Sequence, residues 1–157
     1  MTVRWLLLVL LVGLAGCGGQ GVSYDKEVDD LGAHIVADLK AQPGVGDAAY
    51  RYEHGLDLGQ HLRIRTVLRA ESATAADVQR TIDLAVRDFW LAPAKVGHLV
   101  VTVYSAANPP TGDVTGSNNP DNDPANKDRA IGSKNVEDSA AFDRPELERS
   151  YGPRPTR

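Results

Sequence analysis

Residues 45–70 read VGDAAYRYEHGLDLGQHLRIRTVLRA, and the alternation within this stretch sets the architecture. Ala48, Tyr50 and Tyr52 fall on one side of its first half, and Leu62, Ile64, Thr66 and Leu68 on one side of its second. GLDLGQ, at 55–60, lies between them with a glycine near each end. Period-two alternation on both sides of a turn predicts a β-hairpin.

On the N-terminal side, DKEVDDLGAHIVADLKAQ sets Val28, Leu31, Ile35 and Leu39 at helical spacing. Acids occupy its first turn and Pro43-Gly44 follows as a stop, so an amphipathic helix is expected. On the C-terminal side, Thr74 is the natural N-cap of a second helix with Asp77 in its first turn. That helix places Val78, Ile82, Ala85, Val86 and Phe89 on one face before Pro93 ends it. HLVVTVYS, at 98–105, is β-branched and apolar on both sides, as a strand with cover on both faces would be. The order α-β-β-α-β over residues 24–105 predicts an α+β fold, a small two-layer sandwich of a three-stranded sheet with both helices on one face. Tyr50, Tyr52, Leu62, Ile64, Leu68, Leu99, Val101 and Val103 are its expected sheet core. A core from about 80 residues is small, and extra cover would stabilise it.

After Ser105 apolar residues nearly vanish. Residues 106–157 are rich in Asn-Pro, Asp-Pro and mixed charge, and are expected to be a disordered tail. Phe142, Leu147 and Tyr151 break that pattern, and Arg144-Pro145-Glu146 is a fitting start for a short helix. Residues 142–151 are thus either a docking segment, for this domain or a partner, or a solvated chain end carrying incidental hydrophobes.

At the N-terminus, Arg4 precedes an apolar run from Trp5 to Val12. The run is shorter than the roughly 20 residues a membrane-spanning helix needs, and it reads as a secretory signal. Leu14-Ala15-Gly16-Cys17 resembles the lipobox of bacterial lipoprotein signals. The resemblance implies removal of residues 1–16, a diacylglyceryl group on Cys17 and anchoring to the outer face of the cytoplasmic membrane, with residues 17–23 as a tether. Cys17 is the only cysteine, so no disulfide and no other thiol site is expected. Loss of residues 1–16 removes one cation and no acid, taking the formal charge from −4 to −5. An acidic extracytoplasmic protein is a poor nucleic-acid binder, and none is expected as a partner. The excess of arginine over lysine resembles actinobacterial usage.

No catalytic residue, metal or cofactor is expected. GVGDAA at 44–49 has the letters of a dinucleotide fingerprint, but a helix precedes it and a strand follows, the reverse of what a phosphate site requires. His54 and His61 flank the hairpin turn and are placed to face each other, with His98 on the third strand and His34 on a helix. Two adjacent histidines without ligand spacing fall short of a zinc site. DNDPANKD, at 121–128, lacks the turn glycine and closing glutamate of a calcium loop. Neither G-x-S-x-G nor S-x-x-K occurs, and Ser72 reads as a turn or cap residue.

The informative surface is the sheet face turned away from the helices. Alternation places Arg63, Arg65 and Arg69 there with His61 and Val67, beside Arg51, Glu53, His98, Val100 and Tyr104. Arginine suits bidentate contact with carboxylate or phosphate, so Arg51, Arg63, Arg65 and Arg69 are candidate contacts for anionic lipid, wall polymer or an envelope protein. Glu146 and Glu148 of the tail are alternative partners, with Leu147 and Tyr151 covering Val67 and Val100. A plainly protective open face, its arginines lying over apolar neighbours, is the other reading.

The element order, with Pro43-Gly44-Val45 leading into the first strand, resembles the BON domain of bacterial envelope proteins over residues 25–105. That resemblance implies phospholipid association. The expected function is a lipid-anchored, non-enzymatic binding or structural module at the cell envelope; association with anionic phospholipid or wall polymer through the arginine face is the second reading, and an unrecognised envelope enzyme the third.

Overall fold

A computed structural model describes residues 23–55, 59–111, 124–139 and 141–155. Cys17 and the segment expected to be a secretory signal lie outside the described residues. The chain runs α1 (Lys26–Lys40), β1 (Val45–Gly55), β2 (Gly59–Leu68), a 3₁₀ turn (Ala70–Ser72), α2 (Ala75–Leu91), β3 (His98–Ser105), α3 (Pro124–Lys127), β4 (Ala130–Glu137) and α4 (Arg144–Tyr151). The fold is α+β. Its mixed sheet has four strands in the order β1-β2-β3-β4, not the three expected. β1 and β2 form the antiparallel hairpin, β3 joins β2 in parallel after the α2 crossover, and β4 pairs antiparallel with the outer edge of β3. A parallel neighbour requires such a crossover, because a tight turn cannot reverse the chain twice.

Local chemistry sets the elements. The Asp25 carboxylate accepts from the Glu27 amide at 2.9 Å and caps α1, and Thr74 Oγ1 accepts from the Asp77 amide at 3.2 Å to cap α2. Hydrogen bonds from Thr74 and Arg80 hold the Asp77 carboxyl below its usual range. Between α1 and β1, Gly44 has φ +90, and a side chain there would meet Ser72 at 2.6 Å. Only glycine satisfies both that conformation and that contact.

Both helices cover one face of the sheet. Registered neighbours share a face, so Tyr52, Leu62, Leu99 and Val136 form one row beneath the helices, with Tyr50, Ile64 and Val101 in the next. Val28, Ile35 and Leu39 of α1 and Phe89 and Trp90 of α2 are completely buried against them. α1 approaches most closely at Gly32, where an added Cβ would sit 2.3 Å from Tyr50 Cδ2. Tyr50 donates to Asp29 at 3.0 Å, and the Asp25 amide donates to the Tyr52 hydroxyl at 3.1 Å. Burial and the Asp29 hydrogen bond push the Tyr50 phenol above its ordinary value.

The expectation of a disordered tail is corrected where residues 124–139 and 141–155 are described. β4 presents only Val136 as a fully buried side chain, yet its backbone completes the ladder of β3. Gly132 lets α2 close on this strand, since a Cβ there would lie 2.3 Å from Val78 Cγ1. α4 then packs on α2 with Leu147 in the core and Tyr151 half-buried. The last described residues form a polar latch. Trp90 Nε1 donates to the Gly152 carbonyl at 2.8 Å, and Arg154 donates to the Ala94 carbonyl at 2.7 Å. The Arg154 guanidinium lies over the Phe89 and Trp90 rings, at 5.2 and 5.6 Å, and pairs with the largely buried Asp138.

Candidate functional site: the open face of the sheet

Alternation places the remaining side chains of the four strands on the side away from α1 and α2. Across the sheet they form rows: Glu53, His61, His98 and Glu137; then Arg51, Arg63, Val100 and Asn135; then Ala49, Arg65, Thr102 and Ser133. In the first two rows Glu53 is the hub. Its carboxylate meets Arg51 Nε at 3.1 Å and accepts from Arg63 Nε at 2.9 Å. All three side chains are mostly shielded, which strengthens the contact relative to a fully exposed pair. Because the bond to Arg63 uses Nε, it fixes the guanidinium plane and leaves the outer nitrogens without a hydrogen bond to any described residue.

The four candidate arginines therefore separate. Arg51 and Arg63 are joined through Glu53. Arg65 is only 3% exposed, with its guanidinium 5.7 Å from the centre of the Tyr104 ring. Its place is in the floor of the face rather than at its surface. Arg69 follows the end of β2, six residues beyond Arg63 and on the order of 20 Å along the strand, so it does not join the cluster.

A cation that the sequence did not indicate completes the site. Lys127, at the end of α3, lines a cleft of about 380 Å³ together with Arg63, Val100, Thr102, Tyr104 and Ser133. No carboxylate is among the described residues that line it. α3 is held in place by Asn126, whose fully buried amide accepts from the Thr111 backbone N–H and donates to the Thr111 carbonyl, both at 2.9 Å. Arg129 adds a hydrogen bond to the Pro109 carbonyl at 3.0 Å. Lys127 had no sequence signal, because neither periodicity nor a motif reveals that the chain after β3 returns across this face.

The histidines are arranged differently from expectation. His54 lies on the helix side of the sheet with Tyr52 and Tyr24, at ring separations of 5.2 and 6.0 Å. His61 instead stacks on His98, with ring centres 4.3 Å apart and planes within 8°. Adjacent strand residues project to opposite faces, and His54 and His61 are one register step out of phase: the partner of His61 is Glu53. His34 is an exposed neighbour of Asp38. Among the described residues no group of three or more His, Cys, Asp or Glu is placed to hold a metal.

Of the expected docking residues, Leu147 and Tyr151 pack against α2, while Phe142 is 63% exposed. They do not cover Val67 and Val100, because α4 lies on the helical side of the sheet. Among the described residues no helix is long and apolar enough to cross a membrane. Compared with protein-family models, curated proteins and solved structures, the chain matches none.

Proposed function

We propose that this chain is a lipid-anchored, non-enzymatic binding module of the outer face of the cytoplasmic membrane, and that it meets an anionic partner with the open face of its sheet. The observation that carries the reading is the cleft into which Arg63 and Lys127 converge from separate elements, with no carboxylate among its described lining residues. A protein that is acidic overall concentrates cationic, hydrogen-bonding surface at this place, and a cleft of this volume is large enough for a small ligand or a headgroup. Attachment through Cys17, implied by the lipobox resemblance, would keep that face close to lipid and wall.

Two experiments test the two halves. Replacing Cys17 with alanine is expected to move the protein from the membrane to the aqueous fraction, with mass spectrometry showing loss of the lipid adduct; a variant that stays membrane-bound would refute the anchor. All described elements lie within residues 18–157, so that soluble chain is suited to vesicle co-sedimentation. Its binding to anionic vesicles is expected to fall with salt and to fall at least about tenfold in the Arg63→Glu, Lys127→Glu variant, since each cation near an anionic surface contributes roughly 1 kcal/mol. Arg65 is left intact because its burial makes a charge reversal there a folding defect. Salt-independent binding would refute the electrostatic reading.

A further inference from the structure

The lining of the open-face cleft carries more information than its charge. Thr102 on β3 and Ser133 on β4 are registered partners on this face, so their hydroxyl-bearing side chains are neighbours across adjoining strands and both line the cleft. Directly opposed residues of an antiparallel pair have Cβ atoms about 4.5–5.5 Å apart. Each hydroxyl offers one donor and two acceptor positions, and neither hydrogen-bonds to a described residue. Val100, in the adjoining row, adds an apolar patch to the same cleft.

Two cations alone would suit any anion. Two adjacent hydroxyls and an apolar patch beside them suit a narrower class, one whose own hydroxyls are adjacent and whose ring or chain has a C–H face. Arg63, held by Glu53, offers a planar fork to a phosphate, and Lys127 offers a mobile point charge from α3 in the same cleft. We propose that the cleft recognises a phosphorylated polyol, with the phosphate on Arg63 and Lys127 and the polyol hydroxyls on Thr102 and Ser133. This rests on the anion-binding reading and adds the class of ligand. The same chemistry occurs in a phosphoinositol lipid headgroup and in a soluble or polymer-borne sugar phosphate.

The test compares charge-matched probes on the soluble chain 18–157. Vesicles of phosphatidylcholine containing equal fractions of either phosphatidylinositol or phosphatidylserine carry similar net charge, but only the former presents a ring of hydroxyls. In parallel, glucose 1-phosphate is compared with inorganic phosphate by NMR titration, following the Thr102 and Ser133 amides. The expected result is a preference of at least about fivefold for the polyol member of one or both pairs, the equivalent of about one net hydrogen bond. Preference for phosphatidylinositol places the source in the bilayer; preference confined to glucose 1-phosphate places it in solution or the wall, and either supports the proposal. The Thr102→Val, Ser133→Ala variant is expected to lose the preference while retaining binding to phosphatidylserine or inorganic phosphate.

Equal binding within both pairs, still abolished by Arg63→Glu with Lys127→Glu, overturns the polyol assignment and leaves the anion-binding reading standing. A preference that survives loss of both hydroxyls overturns it too. Binding to none of the four probes removes both.

Discussion

Replacing Arg154 with alanine is expected to lower the melting temperature by about 10 °C, and deletion of residues 141–157 by more. Arg154 is mostly buried, pairs with Asp138, donates to the Ala94 carbonyl and covers the Phe89 and Trp90 rings. Asp138 keeps a second partner, Arg144 Nε at 3.0 Å, so the loss is of one charge-assisted contact, the bond to the Ala94 carbonyl and the cover of two rings, together about 3 kcal/mol, and each kcal/mol corresponds to roughly 3–4 °C for a chain of this size. The deletion also opens the Leu147 site and leaves Trp90 Nε1 without the Gly152 carbonyl. Arg154→Lys keeps the charge and loses the planar fork, so an intermediate shift is expected. A melting curve identical to that of the parent would show that the C-terminal segment does not brace the domain.

Gly32→Ala gives a prediction whose sign separates packing from propensity. Considered as a helix position alone, alanine should stabilise by about 1 kcal/mol. The added Cβ, however, would sit 2.3 Å from Tyr50 Cδ2 and within 2.8 Å of two further ring atoms. Tyr50 has little freedom to retreat, since its hydroxyl is tied to Asp29 on the same helix. Overpacking of this kind costs about 1–3 kcal/mol, and the net result expected in chemical denaturation is a loss of up to about 2 kcal/mol. In a Tyr50→Leu background the same substitution should become neutral or stabilising, because the obstructing ring is gone. A Gly32→Ala protein more stable than its parent would place α1 farther from the sheet than described.

The elements from α1 to β3 were legible because each carries its own period. Val28, Leu31, Ile35 and Leu39 mark α1, and Tyr50, Tyr52, Leu62 and Ile64 mark the hairpin; all of these but the two tyrosines are buried and both tyrosines pack against the core. β4 was not legible because an edge strand needs little apolar surface of its own: it adds Val136 to the core and otherwise contributes backbone hydrogen bonds, which any sequence supplies. α4 offered only Leu147 and Tyr151, and the latch beyond it is made from Arg154, Asp138 and carbonyl oxygens, none of which hydropathy registers. Trp90 follows Phe89 outside the α2 stripe and is completely buried, its Nε1 bonded to the Gly152 carbonyl of the returning segment.

The candidate site divides in the same way. Strand alternation put Arg51, Glu53, Arg63 and Arg65 on the open face, because that property is local. The sharing of Glu53 between Arg51 and Arg63, the burial of Arg65 and the arrival of Lys127 depend on cross-strand register and on a returning segment. A one-step difference in phase separated His54 from His61 and paired His61 with His98 instead.

If the proposed anion binding holds, one face of the sheet, rather than net charge, selects the partner. Two charge-matched variants of the chain 18–157 are compared against the same anionic vesicles at one salt concentration. One is Arg63→Glu with Lys127→Glu, in the cleft; the other is Lys40→Glu with Arg149→Glu, exposed on α1 and α4 in the helical layer. Selection by the open face is expected to give at least about a tenfold loss of affinity for the first variant and a change within about twofold for the second. Equal losses in the two, or an unaltered cleft variant, would contradict it.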